Sequence, residues 1–98
     1  MCSTGEPKVA HKDACKHWHW NRLAQRSRDA QRLGVPFMLS EFGACLTEGP
    51  CTQEIEQVTW TSDYFLVGWA YWQYKLYEDL TTTASTGSQG FYNADGSL

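Results

Sequence analysis

The sequence predicts an α/β fold in which two parallel strands are joined by a helical crossover. Amphipathic helical spacing and apolar stretches of strand length alternate along the chain in the order helix, strand, helix, strand. The apolar stretches lack polar alternation, which is typical of strands in parallel sheets that are covered on both faces. Because parallel strands need a long crossover, the helix between the two stretches completes a predicted βαβ unit.

The composition limits what such a chain can be. Its 98 residues suffice for one small domain and not for a second core. The net charge of -3 and the absence of a basic stripe argue against nucleic acid or an anionic membrane as the main partner. No apolar run is long enough for a transmembrane segment, and no secretion signal is expected at the N-terminus. Five Trp, five Tyr and four Phe indicate a packed aromatic core, a stacking surface, or both.

The first helix is predicted over residues 13–34, after a loop at residues 1–12. Asp13 can cap the helix, Gly34 supplies its C-terminal stop, and Pro36 prevents its continuation. Its apolar side recurs at helical spacing: His17, Trp20, Leu23, Ala24, Ala30 and Leu33. Its basic residues are interpreted as a solvated face: Arg22, Arg26, Arg28 and Arg32.

The first strand is predicted over residues 35–42 because a continuous apolar stretch, Val35 to Leu39, fits a buried strand. Alternation divides it into two faces, Phe37, Leu39 and Glu41 on one and Met38, Ser40 and Phe42 on the other. The carboxylate of Glu41 therefore lies at the C-terminal end of the predicted strand. Gly43 follows and lets the backbone turn away, which keeps that carboxylate accessible.

The four cysteines, Cys2, Cys15, Cys45 and Cys51, form no CxxC pair, so their spacing is weak evidence for zinc. His11, His17 and His19 lie near Cys15 in the sequence, but alternate residues of a helix diverge and cannot converge on one ion. These are interpreted as ordinary helix residues, and no metal or other cofactor is predicted. Cys45 and Cys51 flank a short Gly-Pro loop that could close as a disulfide in an oxidising compartment.

A second helix is predicted over residues 52–65, a second strand over residues 66–75 and a loop over residues 76–98. Thr52 can cap the helix, and Glu54 and Glu56 in its first turn have the sign that the helix dipole favours. Its apolar side is Ile55, Val58, Phe65 and Leu66. The strand is rich in aromatic residues and too apolar on both faces for a surface strand. The tail is rich in Thr, Ser and Gly.

The two strands bring a carboxylate and an indole to one edge. Gly68 and Ala70 are small enough for the crowded interior of a barrel, and alternation places Trp72 on their face at the carboxyl end. Glu41 is expected at the same mouth, where barrel enzymes have their active sites. Sugars stack on indoles, and a carboxylate can stabilise or attack an oxocarbenium-like centre. On spacing alone, the alternative that Glu41 is a capping or salt-bridged residue and Trp72 a core residue stays open.

Four motifs, "LSEFGA", "GWAYWQYK", "DLTT" and "GFYNADGSL", together closely resemble the C-terminal part of the clan A retaining glycoside hydrolases of family 5. The nearest likeness is to endoglycoceramidases and related glucosylceramide-cleaving enzymes, and it extends from about Trp18 onward. The resemblance implies a C-terminal fragment of a (β/α)8 TIM barrel, with strands seven and eight and the helix between them. It implies that Glu41 is the nucleophile and that Trp72 stacks on the sugar. Gln73 and Lys75 follow without an assigned role.

The resemblance implies a retaining β-glycosidase that acts on a carbohydrate or glycolipid, with glycosphingolipids as the expected substrate. Its acid/base carboxylate should follow an Asn on strand four, and no such motif occurs in this chain. Glu6 lies too close to the nucleophile strand, and the other loop carboxylates, Glu48, Glu78 and Asp79, are interpreted as surface or structural residues. Because a whole barrel needs about 250 residues, the remainder of the barrel is expected to be missing and the fragment inactive alone. The family leads us to expect an extracellular or lysosomal setting.

Three other functions stay open. A cellulase-like endo-β-glucanase would share the same nucleophile and differ in loops that this chain lacks. A non-catalytic carbohydrate-binding fragment would use a stacking platform of Trp69, Trp72, Tyr74 and Tyr77, although strand alternation separates Trp69 from Trp72. A structural or interaction fragment would bind no ligand.

Overall fold

The two parallel strands and their crossover helix are present in the computed structural model, which describes residues 11–43, 48–75, 90–93 and 95–98. The elements are α1 (Lys12–Leu33), β1 (Met38–Gly43), α2 (Glu48–Tyr64) and β2 (Gly68–Trp72). β1 and β2 pair in parallel, and α2 connects them. The described residues therefore form a mixed α/β structure that contains the predicted βαβ unit. The predicted loop at residues 1–12 lies mostly outside the described residues.

α1 ends where the sequence predicts and begins without the predicted cap. Gly34 takes the left-handed conformation, with φ 67°, and its N–H points to the carbonyls of Ala30 and Gln31. The N-cap position is occupied by His11, which makes no side-chain capping bond, so the prediction of Asp13 as the cap is wrong. Asp13 lies in the first turn instead, where a carboxylate still interacts favourably with the helix dipole.

α2 begins at Glu48, four residues earlier than Thr52. The prediction that Thr52 caps this helix is therefore wrong, because Thr52 lies inside it. The Gly-Pro pair at residues 49 and 50 suggested a loop, but Pro50 falls within the first turn. Since the first four N–H groups of a helix have no intrahelical acceptor, proline is tolerated there.

An irregularity in β1 changes which residues share a face. Leu39 pairs with Trp69 and Phe42 pairs with Tyr71, so β1 contains one more residue than β2 between these two pairs. This β-bulge brings Phe42 to the face of Leu39, whereas simple alternation placed it with Met38. The Phe42 ring lies 5.6 Å from that of Trp69 and 5.5 Å from that of Tyr71, centroid to centroid.

The core lies between the helices and one face of the sheet. Its buried apolar residues are Cys15, Leu23, Ala24, Cys51, Val58 and Val67. Trp20 of α1 packs against Trp60, Tyr64 and Phe65 near the end of α2. Leu33 was predicted on the apolar side of α1, yet it is 66% exposed, because it lies at the helix end beyond this contact.

The predicted burial of both strand faces is not observed. β1 is shorter than the predicted strand at residues 35–42, and Val35 precedes it and is exposed. Met38 is 58% exposed and Gly68, its register partner, is also exposed. In the described part of the chain, no second layer therefore covers this face of the sheet.

Residues 90–92 run alongside the continuation of β2. Lys75 and Tyr92 form a parallel bridge, and the Phe91 N–H donates to the Gln73 carbonyl at 3.1 Å. A Cβ on Gly90 would lie 2.7 Å from the Lys75 Cα, so only glycine allows this approach. The predicted loop at residues 76–98 is therefore paired with the second strand near its end, and residues 76–89 lie outside the described residues.

Candidate functional site

Glu41 and Trp72 lie at the same edge of the sheet. Gly43 pairs with Trp72 at the carboxyl ends of the two strands, and Glu41 is two residues before Gly43. Glu41 is exposed and, in the described part of the chain, its carboxylate makes no hydrogen bond or ion pair. Trp72 is half-buried. Carboxyl ends of adjacent parallel strands are a common location for active sites in α/β proteins.

Gly43 is what allows the two strand ends to approach. Its φ is +117°, a conformation that L side chains rarely adopt. A Cβ there would lie 2.3 Å from the Trp72 carbonyl oxygen and 2.7 Å from the Tyr71 Cε2. Because the first of these atoms belongs to the backbone, it cannot rotate away. The glycine after Glu41 is therefore required by the geometry of the strand end.

Glu41 lines a cavity of about 340 Å³ between α1 and β1. Its polar side chains are His19, Arg22, Arg26 and Glu41. The Trp18 ring also lines it, together with the apolar side chains of Leu23, Phe37, Leu39, Phe42 and Val58. Glu41 thus shares a cavity with Leu39, on the side of the sheet that faces the helices.

Trp72 is not among the residues that line this cavity. We expected Glu41 and Trp72 at the same mouth, and the register pairs Leu39, which lines the cavity with Glu41, with Trp69. The Trp69 Nε1 donates to Asp63 Oδ1 of α2 at 3.3 Å, which places Trp69 on the helix side. The structure therefore brings Glu41 and Trp72 to one edge without bringing both side chains into one cavity. Their assigned roles stay predictions.

Some of the charged side chains that line the cavity already have a partner of opposite charge, and others do not. The Arg26 Nη1 donates to Asp29 Oδ2 at 3.0 Å, and His19 Nε2 is hydrogen-bonded to Glu54 Oε1 across the two helices. Arg22 lies over the Trp18 ring, with Cζ 4.8 Å from the ring centroid. No carboxylate within the described residues pairs with Arg22.

Sequence reasoning missed the part of α1 that lines this cavity. Arg22 and Arg26 were interpreted as solvated, and they are exposed, but they also border the cavity. The signal was present in the spacing: Trp18, Arg22 and Arg26 recur every four residues and therefore share one stripe of the helix. What the sequence could not show is that β1 lies opposite this stripe.

Gln73, the residue directly after Trp72, is buried. Gln73 is 6% exposed, and its Nε2 has no hydrogen-bond partner in the structure. The peptide bond between Trp72 and Gln73 is cis. Burial raises the pKa of the Tyr71 phenol above its usual value of 10.0. Lys75 is half-buried and has an interaction partner, so neither Gln73 nor Lys75 presents a free polar group to solvent here.

The cysteines are oxidised where the structure describes them. Cys15 and Cys51 are both buried and disulfide-bonded. Cys45, the predicted partner of Cys51, lies outside the described residues. Since a disulfide-bonded sulfur is not a metal ligand, the histidines near Cys15 cannot recruit it. Among the residues described, no group of three or more His, Cys, Asp or Glu could hold a metal ion.

The described rings of the alternative stacking platform have different neighbours. Trp69 is 39% exposed and bonded to Asp63 on the helix side, whereas Tyr74 is 61% exposed and contacts Tyr92, with ring centroids 4.9 Å apart. Tyr77 lies outside the described residues. The described rings of this group therefore do not form one flat surface.

No helix within the described ranges is both long and apolar enough to cross a membrane. Models of known protein families, curated proteins and solved structures offer no match to this chain.

Proposed function

We propose that this chain carries the nucleophile of a retaining β-glycosidase, with Glu41 as the nucleophile and Trp72 as a ring that stacks on the sugar. The supporting observation is the pairing of Gly43 with Trp72, which sets Glu41 and Trp72 at the carboxyl ends of adjacent parallel strands. The motif likeness described above adds the reaction class and a β-glucoside, such as a glycosphingolipid headgroup, as substrate.

In this mechanism a Glu41 carboxylate oxygen forms a bond to the anomeric carbon while the bond from that carbon to the leaving oxygen breaks. A proton donor about 5 Å from the nucleophile protonates the leaving oxygen and then activates the water that releases the sugar. The unpaired, exposed carboxylate of Glu41 is available for such an attack. The proton donor is proposed to belong to a part of the barrel that these residues do not include.

The experiment uses a reagent whose leaving group needs no proton donor, so that Glu41 is tested on its own. A 2-deoxy-2-fluoro-β-glucoside with a dinitrophenolate leaving group needs no protonation of that group, so the nucleophile alone can form the glycosyl ester. We expect mass spectrometry of the chain, treated with excess reagent, to find one fluoroglucosyl group on the peptide that contains Glu41. An ordinary aryl β-glucoside, whose leaving group requires protonation, should show no turnover.

Two variants serve as the controls. Glu41→Gln should abolish labelling, whereas Glu56→Gln, which alters an exposed carboxylate on α2, should leave it unchanged. Labelling that persists in Glu41→Gln, or wild-type chain that acquires no label on the Glu41 peptide, would count against the proposal.

A further inference from the structure

We propose that the cavity between α1 and β1 binds an amphipathic monoanion, a medium-chain alkyl carboxylate, whose headgroup pairs with Arg22. The cavity of about 340 Å³ falls in the range of small-molecule sites. This proposal goes beyond the glycosidase and does not depend on it, because Arg22 has no role in the glycosidase mechanism and Glu41 enters only as a neighbouring charge.

Arg22 is the cation that a ligand can use. Of the cavity's other basic groups, Arg26 is bonded to Asp29 and His19 to Glu54. Arg22 stacks on Trp18, 4.8 Å from the ring centroid, and lacks a carboxylate partner among the described residues. A guanidinium that stacks through its face keeps its N–H edge free for the bidentate pairing that a planar carboxylate favours.

Glu41 limits the charge of the ligand. Its carboxylate lines the same cavity and has no partner within the described residues. One unpaired guanidinium and one unpaired carboxylate leave the cavity close to neutral before a ligand enters. A dianion such as phosphate would therefore meet repulsion that one cation does not offset, and a monoanion placed toward Arg22 is favoured.

The rest of the cavity suits a hydrocarbon chain. Leu23 is 6% exposed and Val58 is 4% exposed, so they form a fixed apolar floor between the two helices. Leu39 of β1 and Phe37, which lies just before β1, also line the cavity. Each methylene that such a surface removes from water should tighten binding about fourfold until the cavity is filled.

Isothermal titration calorimetry with decanoate, below its aggregation concentration, tests this directly. We expect decanoate to bind, and both butanoate and decylamine to bind far more weakly. Arg22→Gln should weaken decanoate at least about tenfold, since a charge-assisted bidentate pair is lost. Arg28→Gln is the matched control, because Arg28 is exposed on the same helix and does not line the cavity.

Glu41→Gln distinguishes this proposal from the glycosidase. It should abolish fluoroglucoside labelling and tighten decanoate binding several-fold, because it removes a like charge from the cavity. Equal decanoate affinities for wild type and a folded Arg22→Gln, checked by circular dichroism, would overturn the site. So would decanol or decylamine binding as tightly as decanoate. Arg22→Lys keeps the positive charge and loses the paired N–H donors of the guanidinium, so its decanoate affinity should lie between those of wild type and Arg22→Gln.

Discussion

Replacing Gly43 by alanine tests whether the strand end beside Glu41 is built around a missing side chain. The new Cβ would lie 2.3 Å from the Trp72 carbonyl oxygen and 2.7 Å from the Tyr71 Cε2. The φ of +117° adds a conformational penalty of its own. Because the first contact is with backbone, relief requires β1 and β2 to separate at Trp72.

The expected loss combines two effects. An L residue held in an unfavourable backbone region costs about 1–3 kcal/mol, and forcing an extra carbon into a packed contact costs about 1–3 kcal/mol. Together they predict a loss of about 2–6 kcal/mol. For a small domain whose total stability is about 5–15 kcal/mol, that is a large fraction.

Gly34→Ala provides the matched comparison. Gly34 also has a positive φ, +67°, but nothing lies within 4 Å of the Cβ position. It should lose only the conformational part, about 1–2 kcal/mol. Urea unfolding followed by circular dichroism measures both variants. If Gly43→Ala costs no more than Gly34→Ala, the close approach of the two strands at Trp72 is not as described.

Two further predictions concern the core and Tyr71. Leu23→Ala should lower the free energy of unfolding by about 2–5 kcal/mol, because Leu23 is a buried core residue that also lines the cavity. Leu33 is 66% exposed, so Leu33→Ala should change the free energy of unfolding by no more than about 0.5 kcal/mol in the same urea assay. Burial raises the pKa of Tyr71, so the unfolded chain ionises first; the stability that the protonated phenol contributes is complete below pH 10.0 and is lost as the pH rises through the folded pKa. Urea midpoints measured across this range should fall less steeply for Tyr71→Phe, and equal slopes would contradict the assignment.

Features that depend on local chemistry were predictable from the sequence. The end of α1 at Gly34 follows from a glycine that can turn left-handed and a proline that blocks continuation. The parallel pairing of β1 and β2 follows from two apolar stretches separated by a helix. Both predictions are confirmed: the first depends on neighbours in the chain, and the second on the helical crossover that parallel strands need.

The details of how the elements contact each other were not predictable. The bulge between Leu39 and Phe42 breaks the period of two on which the face assignment depended, and no Gly or Pro marks it in the sequence. Helical periodicity likewise put Trp18, Arg22 and Arg26 on one stripe without showing what stands opposite. The cavity beside Glu41 arises from both effects together, which is why the sequence predicted the carboxylate and missed its surroundings.

Within the described residues, Glu41 makes no polar contact that would give it a structural role. The sequence left open a capping or salt-bridged role, but Glu41 lies in a strand and forms no ion pair or hydrogen bond within the described residues. An exposed carboxylate without partners adds almost nothing to folding stability. It nevertheless lies within the β1 bulge, two residues before a glycine that no other residue can replace without strain. Backbone features of this kind re-aim side chains near functional sites, so the placement of Glu41 supports the proposal that this carboxylate acts on a ligand or substrate.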